Sequence, residues 1–108
     1  MSNLIELVKT ISDTIPAKYS NGELSIQEFI KEYDEALNSY SKATIDAGFY
    51  DNRTDYKKGL DHITFKLGRI VGQMQLKKLM NNKQDGLVLV EYLKENVNEL
   101  EKFFKEDK

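Results

Sequence analysis

The sequence predicts an all-α fold, an antiparallel up-and-down bundle of four helices with a long central third helix. Two observations predict it: apolar residues recur at helical spacing in four segments, and short polar turns separate those segments. The predicted helices span about 3–15, 25–47, 54–80 and 85–105. A chain of 108 residues has the size of one domain, so we expect a single helical domain over residues 1–108.

The first predicted helix begins near Asn3 and ends at Pro16. A proline inside a helix removes a backbone donor and clashes with the preceding turn, so we expect the helix to stop there. Its apolar side consists of Leu4, Val8, Ile11 and Ile15. The connection from Pro16 to Glu23 has the composition of a turn.

The second helix has the clearest start signal in the chain. Ser25 and Glu28 form a capping box, in which each side chain accepts a hydrogen bond from the other residue's backbone N–H. Apolar residues continue along one side to Ala47, and Gly48 is suited to a left-handed C-cap. The helix is therefore predicted to run from Ile26 to Ala47.

The third helix is predicted from Thr54 to Met80, about 40 Å at 1.5 Å per residue. Its apolar residues lie alternately four and three positions apart, which is the period of a helix seam packed against partners. These residues are Tyr56, Leu60, Ile63, Leu67, Ile70 and Met74.

The last helix follows a polar turn from Asn81 to Gly86. The segment Leu87 to Val90 alone fits either a helix or a short buried strand, but the unbroken continuation to Lys105 favours helix. The predicted apolar stripe consists of Leu89, Leu93, Val97, Leu100 and Phe104.

Gly59, Gly68 and Gly72 lie inside the third helix, where each glycine costs about 1 kcal/mol relative to alanine. We expect a packing reason for that cost. Gly68 and Gly72 are four residues apart and share a face, so they predict close helix packing within the fold or across a homodimer. The alternative is an open notch that binds a ligand or a partner.

A basic row follows another face of the third helix, and we predict that it binds a partner. An acidic protein or a nucleic-acid backbone could follow such a row, while the alternative is a solvated or internally complemented face. The charge distribution agrees with either, because residues 51–83 carry eight bases and three acids in a chain of net charge -2. The row consists of Lys58, His62, Lys66, Arg69, Gln73 and Lys77.

The turn between helices two and three is a second candidate contact surface. Tyr50 and Arg53 belong to the residue types that most often carry interface energy, because they bury a large area and keep polar tips. The alternative is structural: Phe49 closes the helix cap and Tyr56 begins the core stripe.

Catalysis has little support in the sequence. The chain has no cysteine, its one histidine, His62, has no oriented acid or base partner, and no nucleophile elbow or phosphate loop occurs. We therefore expect no enzymatic activity, no cofactor and no metal. Glu6, Lys9 and Asp13 interrupt the N-terminal apolar run, so neither a signal peptide nor a membrane span is predicted there, and the cytoplasm is the expected location.

The function predicted from these observations is that of a small protein-binding factor, such as an adaptor, an inhibitor or an immunity-type protein. It would act through helix three and the turn before it, with a homodimer as a further possibility. The alternative is an accessory protein that binds nucleic acid or another polyanion with the basic row. The four-helix plan resembles that of bacteriocin immunity proteins in architecture alone, and no residue motif transfers their function.

Overall fold

A computed structural model describes residues 2–46 and 55–106, which are almost entirely helical and contain no strand. The elements are α1 (Ser2–Lys9), a π-helical turn (Thr10–Thr14), α2 (Ile15–Ser20), α3 (Ile26–Asp46), α4 (Asp55–Gln73), α5 (Lys77–Met80) and α6 (Lys83–Glu106). The predicted all-α fold is confirmed. The chain divides into two compact units, Met1–Asp51 and Asn52–Lys108, and the single domain over 1–108 stays a prediction. Among the described helices, none is long and apolar enough to cross a membrane.

The first helix does not end at Pro16, and helical backbone continues to Ser20. The preceding turn is widened: the Ile15 N–H donates to the Thr10 carbonyl, five residues back. Pro16 therefore lies in the first turn of α2, where a missing backbone donor removes no helix hydrogen bond. The predicted stop was wrong because the π-helical turn accommodates the proline.

The turn between α2 and α3 is tighter than predicted. The Gly22 N–H donates to the Tyr19 carbonyl at 3.1 Å, and the Glu23 N–H donates to the Lys18 carbonyl at 2.8 Å. This is a Schellman motif, and Gly22 supplies its left-handed residue with a φ of 82°. The α2 and α3 helices thereby reverse direction and pack antiparallel.

The capping box at the start of α3 is confirmed. The Ser25 N–H donates to Glu28 Oε1 at 2.8 Å, and the Glu28 N–H donates to Ser25 Oγ at 3.1 Å. Hydrogen bonds from the Ser25 backbone and side chain hold the pKa of Glu28 below its ordinary value of 4.5. The predicted end of this helix at Ala47 and Gly48 lies outside the described residues.

The core of the first unit lies between α3 and the first helical segments. Phe29 stacks on Tyr19 with ring centroids 5.0 Å apart and also packs on Tyr33, with centroids 5.4 Å apart. All three side chains are buried, as are Ile11, Ile15, Ile26 and Leu37. The predicted inner face of the second helix is therefore confirmed at Ile26, Phe29, Tyr33 and Leu37, whereas that of the first helix is confirmed only at Ile11 and Ile15, because Val8 is 38% exposed.

The predicted third helix is wrong beyond Gln73. The backbone N–H groups of Met74, Gln75 and Leu76 each donate three residues back, and Leu76 is extended with a ψ of 130°. Gly72 weakens the helix at this point, because glycine is a poor helix former. After the break, the chain turns so that Leu79 is only 5% exposed. At 19 residues, α4 is shorter than both α3 and α6 and is not the long helix of the fold.

The last helix is α6, which begins two residues before the predicted start. Asn82 explains the difference, because its Oδ1 accepts a hydrogen bond from the Asp85 N–H at 3.1 Å and caps the helix. Residues 87–90 are helical, which settles the alternative between helix and strand.

The second unit is an antiparallel hairpin of α4 and α6. Gly59 near the start of α4 lies against Phe103 near the end of α6. Ile63, Ile70 and Leu89 are buried. The predicted stripe of α6 is only partly correct: Val97 and Phe104 are 46% and 65% exposed, whereas Tyr92 and Asn96 are buried.

Candidate functional site

The predicted contact surface at the second turn lies outside the described residues. This concerns Phe49, Tyr50 and Arg53, and the side chain of Tyr56 is not described either. Their role in binding stays a prediction.

The predicted basic row is not one continuous exposed surface. Lys66 is only 8% exposed, and Lys77 lies on α5, beyond the break that ends α4. Lys58, His62 and Arg69 are half-buried, and the Arg69 guanidinium lies 5.3 Å from the centroid of the Phe65 ring. The row therefore lacks the open line of cations that tracking a phosphate backbone requires.

The two glycines predicted to be closely packed are open. Gly68 and Gly72 are exposed, and no described atom lies within 4 Å of a Cβ built on either one. Close packing within the described chain was thus the wrong prediction for both positions, because they face outward from α4. Close approach occurs instead at Gly59, where a Cβ would lie 2.7 Å from Phe103 Cζ.

An apolar groove opens where α4, α5 and α6 meet, within the second unit. It has a volume of about 390 Å³, and among the described residues Lys83 is the only charged one in its lining. The other lining residues are Met74, Leu79, Gly86, Leu87, Leu89 and Val90. We call this feature the apolar groove.

The position of the apolar groove follows from the break in helix α4. Met74 lies in the turn after α4, and the reversal of the chain brings Leu79 of α5 beside Gly86 of α6, whose missing side chain leaves room. A Cβ on Gly86 would lie 3.9 Å from the Leu79 carbonyl oxygen, which is ordinary contact.

The rim of the apolar groove combines exposed apolar side chains with positive charge. The lining residue Leu87 forms the rim and is 58% exposed. Met80, next in the chain to the lining residue Leu79, is 67% exposed. The segment from Lys77 to Lys83 contains three lysines and no acid. Large exposed apolar side chains beside charged ones are typical of surfaces that contact other proteins.

A cleft of the first unit has a different character. It measures about 530 Å³ and is lined mainly by hydroxyl side chains and by charged side chains of both signs. The charged residues are Lys18, Glu28, Lys31, Glu32 and Glu35. No group of three or more histidines, aspartates or glutamates within the described ranges is arranged to hold a metal ion. This cleft therefore offers no apolar anchor point comparable to the apolar groove.

The sequence contained a signal for the apolar groove that the helical period alone does not reveal. Leu87, Val88, Leu89 and Val90 are four consecutive apolar residues, and a helix that packs on one side needs only about half of them. Leu89 is 1% exposed while Leu87 is 58% exposed, so the surplus residues form the groove and its rim.

Searches against known proteins add no functional information. No protein-family model, no curated protein and no solved structure matches this chain.

Proposed function

We propose that this chain is a non-enzymatic protein-binding factor, an adaptor, inhibitor or immunity-type protein, that holds its partner in the apolar groove. The observation that carries the proposal is an open cavity with an almost entirely apolar lining, in which the side chain of Leu87 is 58% exposed. Burial of apolar surface is the main driving force of protein association, and it acts most strongly where a side chain enters a preformed cavity.

The lysines around the groove indicate the charge of the partner segment. Lys83 lines the groove, and Lys77 is exposed at the start of the helix that supplies Leu79. A helix that inserts apolar side chains and carries acidic residues beside them would match both features. Lys77, one of the residues predicted to bind a partner, is thereby retained in the proposal.

The proposal is tested by affinity capture from host cells with the full chain and two variants. Leu87→Asp places a charge at the groove rim, and Ile5→Asp makes the same change at a residue of the first unit that is 70% exposed. We expect the wild-type chain and Ile5→Asp to retain the same partner and Leu87→Asp to lose it. Both variants should remain folded by circular dichroism, because both positions are exposed.

Two results would contradict the proposal. If Leu87→Asp captures the same proteins as Ile5→Asp, the groove is not the binding surface. If the captured material is nucleic acid and its binding falls log-linearly with rising salt, the lysines from Lys77 to Lys83 bind phosphate. The apolar groove is then not the binding surface.

A further inference from the structure

A second apolar feature extends from the groove along α6. Six residues spaced alternately three and four apart lie on one side of the helix, and we call them the outer strip: Leu87, Val90, Lys94, Val97, Glu101 and Phe104. Its spacing is the a/d period of a two-helix seam. Leu87, Val97 and Phe104 are 58%, 46% and 65% exposed, so much of the apolar surface of the strip is open.

The two ends of the outer strip have complementary shapes. Leu87 and Val90 line the apolar groove at one end, and Phe104 projects as an exposed aromatic ring at the other. At 1.5 Å per residue the two ends are about 26 Å apart. When two copies of α6 run antiparallel, the Phe104 ring of each copy meets the apolar groove of the other. The surface is then self-complementary, which is the condition for a closed two-fold interface.

We infer that a second copy of this chain docks on the outer strip, with the two α6 helices antiparallel and Phe104 of each copy in the apolar groove of the other. In this register Leu87 faces the partner's Phe104, and Lys94 faces the partner's Val97. Val90, which lies one helical turn before Lys94, faces the partner's Glu101. The Lys94 ammonium therefore reaches the partner's Glu101 carboxylate, and the symmetry repeats the pair.

Charge favours the antiparallel direction. The segment 77–83 at the groove end holds three lysines and no acid, whereas the segment 95–106 holds four glutamates and two lysines. An antiparallel pair brings these opposite ends together. A parallel pair would instead place Lys94 against the partner's Lys94 and Glu101 against the partner's Glu101.

The present partners of these charges do not prevent the exchange. Lys94 lies 3.4 Å from Glu91, and Glu101 lies 3.4 Å from Lys105, but all four side chains are more than half exposed. Ion pairs so open to water are weak and rearrange readily.

The first test measures the oligomeric state of the full chain by sedimentation over a wide concentration range. We expect a monomer–dimer equilibrium that Phe104→Ser shifts at least tenfold toward monomer. Ile5→Ser is the matched control, since Ile5 is equally exposed but lies in the other unit, and it should leave the equilibrium unchanged. A chain that stays monomeric at every concentration would overturn the inference, as would a dimer that Phe104→Ser does not weaken.

The second test addresses the direction of pairing with charge reversal. Lys94→Glu alone and Glu101→Lys alone should each weaken the dimer, because each creates like charges across the interface. An equal mixture of the two variants should restore dimerisation, and so should the double variant. If neither single variant is weaker than the wild type, the antiparallel register is wrong.

One consequence rests on the proposed function: because the partner and the second copy use the same groove, dimerisation masks the partner site. Phe104→Ser leaves the groove intact, so it should abolish the dimer and increase partner capture, whereas Leu87→Asp should abolish both. If the wild type is monomeric but still captures a partner in a way that depends on Leu87, the dimer inference is wrong and the proposed function stands. If Phe104→Ser weakens a dimer but no partner depends on Leu87, the dimer inference stands and the proposed function is wrong.

Discussion

The ring of Phe103 occupies the space where a side chain of Gly59 would stand: a Cβ on Gly59 would lie 2.7 Å from Phe103 Cζ and 2.8 Å from Cε1. This contact fixes the antiparallel register of α4 and α6, since it joins the start of one helix to the end of the other. It also distinguishes Gly59 from Gly68 and Gly72, which have open space around them.

Alanine substitutions should distinguish Gly59 from Gly68 by their effect on stability. Gly68→Ala should raise the free energy of unfolding by about 1 kcal/mol, because alanine is the better helix former and meets no neighbour. Gly59→Ala should not raise the free energy of unfolding and should lower it if anything, because Phe103 must move to make room. Overpacking of this kind typically costs about 1–3 kcal/mol. Chemical denaturation measures both.

A double-mutant cycle supplies the control for this contact. In a Phe103→Ala background, Gly59→Ala should recover the gain expected at an open helix position, while the effect of Gly68→Ala should stay the same. Equal effects of Gly59→Ala in the two backgrounds would show that the ring does not restrict Gly59.

The capping box of α3 should be measurable on its own. Ser25→Ala removes the hydroxyl that accepts the Glu28 N–H, so the free energy of unfolding should fall by about 1 kcal/mol. Ser39→Ala is a suitable control, because Ser39 is an exposed serine within the same helix and should change stability little. The same loss at both positions would assign no particular role to the cap.

Glu28 should make stability depend on pH in the acid range. Its folded pKa lies below the ordinary value of 4.5, so the carboxylate stabilises the fold fully above 4.5, and this contribution disappears as the pH falls through the folded pKa. The difference in unfolding free energy between wild type and Glu28→Gln should therefore shrink in acid. Urea denaturation at a series of pH values measures it, and a difference that does not change with pH would contradict the prediction.

Burial of Lys66 predicts that reversing its charge harms folding rather than binding alone. Lys66 is 8% exposed, so Lys66→Glu should lower the free energy of unfolding by roughly 1–3 kcal/mol. Lys77→Glu should change it by less than about 0.5 kcal/mol, since Lys77 is exposed. Equal stability of the two variants in thermal unfolding would mean that Lys66 is accessible to water and partners.

Local signals in the sequence predicted helix starts better than helix ends. The Ser25–Glu28 box is confirmed because both hydrogen bonds form within four residues and need no other part of the chain. Pro16 and Gly72 misled in opposite directions. A π-helical turn accommodated the proline, whereas the glycine contributed to a break that burial of Leu79 made favourable.

The candidate site was less predictable than the fold. The apolar groove depends on two turns: the break after Gln73 supplies Met74, and the turn between α5 and α6 brings Leu79 beside Gly86, and no periodic pattern marks such turns. The burial of Lys66 within the predicted basic row has a related reason: a helical spacing identifies a shared face but not what covers it.

The sequence by itself determined that this chain is helical, where its main helices lie and which residues form part of their buried faces, such as Ile11, Phe29 and Ile63. Those properties depend on side-chain periodicity and on caps, which act over one or two turns. Only the tertiary structure decided where α4 ends, which glycine is in close contact and which side of α6 remains open. Each of these depends on the residues across a packing interface, which are far away in the chain, so the same local pattern is compatible with more than one outcome.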